Sequence, residues 1–362
     1  MKTPERRFEI AGRAVGEGEP TYFIADIAAN HDGDLARAQD LIGLAAKAGA
    51  DAAKFQHFKA GTIVSDAGFK SLGGGQSHQA GWKKSVFEVY QDASVPQQWT
   101  AVLKQTCDEA GIAFFTSPYD LALVDHVDPY VPAFKVGSGD ITWHEIIRHM
   151  ADKGKPTLIA TGASTMDEVH AAVRVALAVN AQVALMQCNT NYTAGLENLR
   201  HIQLNVLQCY RAMYPGMVLG LSDHTLGHAT VLGAVALGAR VIEKHFTDDT
   251  RRSGPDHHFA MDPRTWRDMV TATRELEAAL GSGVKQVEDN EKQTAVLQRR
   301  SVRLTADLPA GTRLSAEHLI ALRPCPAGAI DPTHLPALPG RNLSRAVKAG
   351  DTLQWTDLAS PS

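Results

Sequence analysis

Short runs of apolar and β-branched residues alternate along the chain with longer stretches in which apolar positions recur every three to four residues. This is the pattern of βα units on a parallel sheet. Eight such runs can be counted, at 22–30, 52–58, 112–117, 133–138, 157–161, 182–188, 218–224 and 241–247. Helical signals follow seven of them, over 34–48, 122–127, 143–153, 166–179, 196–213, 228–237 and 263–280. The second run meets a polar insertion from 59 to 93, with Gly73-Gly74-Gly75 inside it, before a helical stretch at 96–110. An insertion of that length without regular structure of its own predicts an active-site loop or lid. Eight repeats within about 280 residues fit a (β/α)8 barrel, an α/β fold, better than an open doubly wound sheet.

Near residue 281 the pattern changes. The segment GSGVKQVEDNEKQTAVLQ (281–298) is polar and reads as a linker or exposed helix, and the remainder is a run of β-like pieces punctuated by proline and glycine. The predicted organisation is a barrel over 1–281, a linker over 282–298 and a small β-rich domain over 299–362. So short a tail is marginal alone, which predicts that it docks on something.

Composition narrows the function classes. The chain has 362 residues, 44% of them hydrophobic, and 36 Lys+Arg against 40 Asp+Glu give a net charge of −4, so there is core material and no basic excess for nucleic acid. Cys107, Cys188, Cys209 and Cys325 are widely spaced without a CxxC, which predicts neither a disulfide framework nor a thiolate zinc site. The most apolar stretch, 231–242, is short and contains Arg240, and MKTPERRFEI lacks a signal-peptide core. A cytoplasmic protein without a membrane span is expected.

Barrel enzymes carry their chemistry at the carboxyl ends of the strands. The polar residues of this chain gather there: Asp26, Asn30 and His31 on the first run, Lys54 and Gln56 on the second, Thr116 and Ser117 on the third, Lys135 and Ser138 on the fourth. Thr161 to Ser164, Gln187 to Asn189, Ser222 to His224 and Glu243 to His245 complete the set. Strand alternation puts Lys54 with Gln56, Ser222 with His224, and Glu243 with His245. His224 and His245, at matching heights on neighbouring strands, form a candidate pair for a divalent transition ion with oxygen ligands; the plain alternative is two histidines held by backbone. Buried Lys54 and Lys135 predict an anionic substrate, with ion pairs to Asp26 or Glu243 as the plain alternative and a Schiff-base lysine as another. Asp26 and Glu243 are candidates for proton transfer, with interchangeable roles. Gly73-Gly74-Gly75 lacks the Lys-Ser/Thr of a P-loop. Trp82, Trp99, Trp143 and Trp266 read as packing, His257-His258 as a substrate-facing loop or surface rather than a second metal site, and Cys188 has no histidine base beside it in sequence.

At these strand ends the sequence resembles the sialic acid synthase family. The matching pieces are FIADIAANHDGDL (23–35), AGADAAKFQ (48–56), FFTSPYD (114–120), FKVGSGDI (134–141), ATGAS (160–164), LGLSDHTLGH (219–228), IEKHFT (242–247) and SGPDHHFAMDP (253–263), while 300–328 and 346–358 resemble the antifreeze-like or SAF domain of that family. The resemblance implies a (β/α)8 barrel followed by an SAF domain, and condensation of phosphoenolpyruvate with a six-carbon aldose such as N-acetylmannosamine to a nine-carbon 2-keto-3-deoxy acid plus phosphate. It implies a divalent metal on His224 and His245, Mn²⁺ foremost with Mg²⁺ or Co²⁺ as alternatives, which polarises the aldehyde. By the same resemblance, Lys54, Ser117, Lys135 and Ser138 hold the carboxylate end of phosphoenolpyruvate and Lys135 with Ser222 its phosphate, with Asn189 or Thr190 in the phosphate-contacting place; Thr161, read from its strand end alone, is a further hydroxyl for carboxylate or phosphate oxygens. Asp26 and Glu243 handle protons, and Gln56, Tyr192 and Asp256 face the sugar. Arg323 reaches a neighbouring protomer's pocket in a domain-swapped homodimer.

Three departures bear on the sugar accepted. Asp26 stands where most members carry Glu, Ala160 where many carry Ser, and 188–192 reads CNTNY rather than CTNxYP. Legionaminic- or pseudaminic-type precursors fit as well as N-acetylmannosamine. Alternatives are another phosphoenolpyruvate-dependent 2-keto-3-deoxy acid synthase, which the tail argues against, a metal-dependent hydrolase barrel, which lacks its His-x-His, and a non-catalytic binding homologue.

Overall fold

The computed structural model describes residues 1–73 and 77–360. Eight parallel strands form one sheet: β1 (Tyr22–Asp26), β2 (Ala52–His57), β3 (Ala113–Pro118), β4 (Phe134–Val136), β5 (Thr157–Ala160), β6 (Val183–Cys188), β7 (Val218–Asp223) and β8 (Ala239–His245). Their hydrogen-bonded order is β3-β2-β1-β8-β7-β6-β5-β4, and the two ends, β3 and β4, lie against each other, so the sheet closes as a (β/α)8 barrel.

The strands read as unbroken apolar runs because both faces are covered. Outward residues such as Phe23, Phe55, Phe114 and Ile242 pack under the helices. Inward residues Tyr22, Ile24, Ala52, Phe115, Leu158, Met186 and Val241 fill the lower barrel, and Phe8, Ile10 and Val15 of an N-terminal hairpin (Arg7–Ile10 with Arg13–Gly16) join that core. This hairpin has no counterpart among the runs read from the sequence. One or two steps further along the same inner faces stand Asp26, Lys54, Ser117, Lys135, Ser222 and Glu243. The lumen is therefore apolar below and polar above. Gly220 is required in the wall, because a Cβ there would lie 2.7 Å from the Val241 carbonyl oxygen and 2.8 Å from Met186.

Local signals set the helix ends. Asp34 caps Leu35–Ala48, which stops at Gly49 in the left-handed region (φ 97°), and Thr165 with Glu168 forms a capping box at Met166–Val179. Two expectations need correction. The segment 196–213 is a 3-10 turn, Leu196–His201, then a separate helix, Val206–Met213. The insertion at 59–93 is structured, with helices Ala60–Ile63, Asp66–Ser71 and Val86–Ala93. Gly74 and Gly75 of its glycine triplet lie outside the described residues.

Chain contacts divide the protein into Met1–Gly281 and Ser282–Ser362. The second unit carries β9 (Ser301–Leu304) antiparallel to β10 (Leu319–Leu322). Short as it is, it has a core of its own, burying Val302, Leu304, Leu314, Ile330, Leu338, Leu343, Val347 and Leu353 together. The polar stretch before it includes a helix, Lys292–Gln298, whose Val296 and Gln298 carbonyls accept from Cys325 N and Arg323 Nε, 2.9 and 2.7 Å. Among the described residues, no helix is long and apolar enough to cross a membrane.

Candidate active site

Four charged side chains meet in the upper lumen. Lys54 Nζ lies 2.6 Å from Asp26 Oδ2 and 3.5 Å from Glu243 Oε1, and Lys135 Nζ reaches across from the opposite side of the barrel to the same Oε1 at 3.0 Å. All four side chains are at most 6% exposed. The two lysines are thus neutralised by the two carboxylates, and their burial alone does not demand an anionic ligand. Burial acts to lower Lys54, but Asp26 and Glu243 outweigh it and hold the ammonium above its ordinary value, which removes the neutral amine a Schiff base needs.

The two carboxylates differ. Burial pushes Asp26 upward, Lys54 opposing and Glu243 reinforcing. Glu243 is also penalised by burial, yet Lys135 and Lys54 pull it below the ordinary carboxylate range. Adjacent acids driven in opposite directions are the usual arrangement for divided proton-transfer roles. Polar groups ring them: Gln56 Nε2 donates to Asp26 Oδ2 at 3.3 Å and Ser222 Oγ to Glu243 Oε1 at 3.3 Å. Ser117 Oγ and Glu243 Oε2 are buried with no partner, so donor and acceptor capacity is left pointing into the lumen.

Above the cluster stand the imidazoles. β8 pairs Lys244 with Asp223 of β7, which brings the next residues, His245 and His224, level with each other, ring centroids 5.3 Å apart. His224 Nδ1 donates to the Asn189 carbonyl at 3.0 Å, and Cys188 bonds to the same imidazole; against burial, Cys188 and that carbonyl hold the ring above its ordinary value. His245 Nδ1 is buried without a hydrogen-bond partner, and burial pushes this ring down to about 3, so it is neutral as a ligand must be. The pair fits a divalent ion, and among the described residues no group of three or more His, Cys, Asp or Glu joins it. Remaining ligands would have to be oxygens of substrate or water.

Strand alternation and loop bonding displace several predicted residues. Thr161 turns outward, where its Oγ1 donates to the Met186 carbonyl and accepts from Tyr210 at 3.0 Å, so its side chain is not in the lumen. Asn189 donates to the His201 carbonyl, leaving Thr190 as the residue that lines the mouth. Asp223 and Lys244 also face outward, as a fully buried ion pair of 2.6 Å reinforced by Thr225 and Thr230. His31 packs among Trp99 and Phe55 and Asn30 donates to the Phe246 carbonyl, both outside the lumen. Arg323 is exposed in the second unit.

Other residues gather as expected. A cavity of about 400 Å³ at the mouth is lined by Gln56, Ser138, Thr190, Tyr192, His245 and Asp256. Ser138 Oγ accepts from Gly162 N at 3.0 Å, at a position where a Cβ would come within 1.9 Å of Thr190 Oγ1. Asp256 Oδ2 accepts from Ala29 N at 3.2 Å, and the next residue, His257, anchors that loop through Thr247 Oγ1 at 2.8 Å and Asp32 at 3.0 Å. His257 is therefore a buried anchor rather than a surface residue.

Four features escaped sequence reasoning. Asp140 lines the cavity, its carboxyl pushed up to about 6 by burial, and its signal was its place in GSGD. Trp82 lines the cavity too, rather than packing elsewhere, and Tyr90 joins it from the insertion, where no pattern marks either. Cys188 is hydrogen-bonded to His224; burial raises its thiol, but His224, Ser138 and Lys135 bring it below its ordinary value. That histidine is 36 residues away along the chain, out of reach of sequence adjacency.

Fold and site define a (β/α)8 barrel with a charge-paired lumen, a two-histidine mouth and an appended β-rich unit. The NeuB family model matches residues 41–285 and the SAF domain model residues 299–359. The chain belongs to the NeuB family. It is 34% identical over 346 residues to N,N'-diacetyllegionaminic acid synthase of Legionella pneumophila, covering 94% of this chain and 95% of that one. Against human N-acetylneuraminate-9-phosphate synthase the identity is 31% over 343 residues, covering 94% of each. The crystal structure of N-acetylneuraminic acid synthetase from Leptospira borgpetersenii, in complex with citrate, superposes with a TM-score of 0.70 at 25% identity, covering 81% of this chain and 96% of that one.

Proposed function

We propose that the protein is a nonulosonic acid synthase that condenses phosphoenolpyruvate with a six-carbon aldose, releasing phosphate. The observation that carries this reading is the buried Lys54–Asp26–Glu243–Lys135 cluster directly below the two imidazoles, with Ser117 Oγ unpartnered beside it. Family membership and the names of the relatives support it.

Lys54, Lys135 and Ser117 supply cationic and neutral donors for the carboxylate of the enol ester, and Lys135, Ser138 and Ser222 for its phosphate. Thr190, rather than Thr161 or the Asn189 side chain, stands beside Ser138. His224 and His245 would hold a divalent ion, Mn²⁺ foremost, whose chemistry is to polarise the aldehyde as a Lewis acid. Carbon-3 of phosphoenolpyruvate forms the new bond to the aldehyde carbon, water adds at carbon-2, and the tetrahedral adduct loses phosphate by C–O cleavage. Asp26, raised towards neutrality, exchanges the proton of the attacking water, while Glu243 stays ionised and fixes both lysines. Gln56, Tyr192 and Asp256 orient the sugar, and Arg323 of a second copy reaches the mouth in a swapped homodimer.

Phosphate release from phosphoenolpyruvate with a panel of hexosamines and Mn²⁺, followed by mass spectrometry of the nine-carbon product, tests the reading. Tight phosphoenolpyruvate binding without phosphate release for any aldose would replace it with the binding-homologue reading.

A further inference from the structure

The loop after β8 carries Asp256 and is fastened at its ends and in its middle. It leaves at Thr247 and returns at Met261, where Met261 N donates to the His245 carbonyl at 2.8 Å and Thr247 N to the Met261 carbonyl at 3.0 Å. Closed-ended excursions of this kind carry function on many scaffolds. The middle is held from the loop after β1. His257, fully buried, has Nδ1 2.8 Å from Thr247 Oγ1 and Nε2 3.0 Å from Asp32 Oδ1, while Asp32 Oδ2 accepts from Arg252 at 2.8 Å. Burial acts to raise Asp32, but His257, Arg252 and Arg37 outweigh it and hold the carboxyl below its ordinary value. An ionised carboxylate has no proton to give, so Nε2 is the donor. Gly254 leaves room for the ring, since a Cβ there would stand 2.6 Å from its Cδ2.

The groups this latch delivers stand on either side of His257. Asp256 Oδ2 comes 4.0 Å from His245 Nδ1 and accepts from Ala29 N, on the same β1 loop as Asp32, at 3.2 Å. Phe259 lays its ring centroid 4.8 Å from that of His245. Among the described residues that line the mouth cavity, Asp256 is present and Asp32 and His257 are not, so the latter two cannot touch a substrate there. We infer that Asp32 is a positioning residue which, through His257, holds the Asp256 carboxylate beside the imidazole of His245. A carboxylate on a loop tip is otherwise free to shift, and a misplacement of about 1 Å is enough to cost about 100-fold in rate. That Asp256 orients the sugar rests on the reading above; that Asp32 holds its loop rests on the contacts alone.

Three variants test the latch. Asp32→Gly removes the acceptor at a position where the backbone is left-handed (φ 52°) and glycine adds no strain. Asp32→Asn keeps an oxygen for Nε2–H, and Gly254→Ala drives the ring from Asp32 while leaving the carboxylate in place. Native-state amide exchange over 250–260 should quicken about 10-fold or more in Asp32→Gly and Gly254→Ala, with β8 unchanged and Asp32→Asn within about 3-fold of wild type. With Mn²⁺ and a hexosamine of the panel that supports phosphate release, the same two variants should raise KM for the sugar about 10-fold or more and KM for phosphoenolpyruvate less than about 2-fold. On an Asp256→Ala background Asp32→Gly should lower kcat/KM by less than about a further 2-fold, because the group it positions is gone. Unchanged loop exchange, a full further loss on that background, or equal rises in both KM values overturns the assignment and leaves the condensation standing. Phosphate release with none of the aldoses removes the condensation, and with it the catalytic purpose given to Asp32.

Discussion

Replacing Lys135 by Met isolates what the lumen cluster contributes. The wild-type cluster is neutral, two ammoniums against two carboxylates, with Lys135 3.0 Å and Lys54 3.5 Å from the same Glu243 oxygen. Lys135→Met leaves a buried site with a net charge of −1. Breaking a buried pair costs roughly 3–5 kcal/mol, and retention of Lys54 beside Glu243 places this case near the lower end, about 3 kcal/mol. Glu243→Gln alone leaves the opposite excess and a similar loss. Lys135→Met/Glu243→Gln restores neutrality, because Lys54 and Asp26 remain paired at 2.6 Å, and should recover to within about 1 kcal/mol of wild type. The expected coupling is several kcal/mol, far above the roughly 0.5 kcal/mol scatter of independent sites. Urea unfolding followed by the fluorescence of Trp266, fully buried against Phe246, reads the barrel. Additive losses in the double variant would refute electrostatic pairing as the reason these lysines can be buried. Phosphate release should be lost in Lys135→Met and in the double variant, since restored neutrality does not restore the donor.

Gly162→Ala puts a Cβ within 1.9 Å of Thr190 Oγ1 and 2.8 Å of Ser138 Oγ; overpacking should cost about 1–3 kcal/mol and KM for phosphoenolpyruvate should rise at least about 10-fold in steady-state assays. Burial holds His31 down to about 4 and His57 to about 3, so the unfolded chain binds more protons below pH 6.5. The stability these neutral rings permit is present above about pH 6.5 and is lost as pH falls towards 4, at about 1.4 kcal/mol per pH unit per histidine, and His57→Gln should flatten that slope by one proton in urea titrations from pH 4.5 to 7.5. Chelation should abolish phosphate release and Mn²⁺ restore it, with His224→Ala unresponsive to Mn²⁺ while its circular dichroism is unchanged; turnover in chelated buffer would contradict the metal role.

Much of this was legible from residue order. The eight apolar runs needed only the rule that a doubly covered strand is apolar throughout, and Lys54, Lys135, Asp26 and Glu243 stood out because charge inside such runs is expensive. The pairing of His224 with His245 followed from period-two alternation and strand adjacency. The same alternation, applied consistently, excludes Thr161, Asp223 and Lys244 from the lumen; grouping polar residues by strand end alone had included them.

What the sequence by itself determined was therefore the barrel and the level at which its chemistry lies, because both are set by local periodicity. Tertiary structure decided who partners whom. Lys135 meets Glu243 across the lumen, Cys188 meets His224 between β6 and β7, and Tyr90 meets Phe58 over the mouth. These contacts span from 32 to 108 residues, and their distances depend on how a closed sheet and a folded insertion converge. No local propensity encodes that convergence.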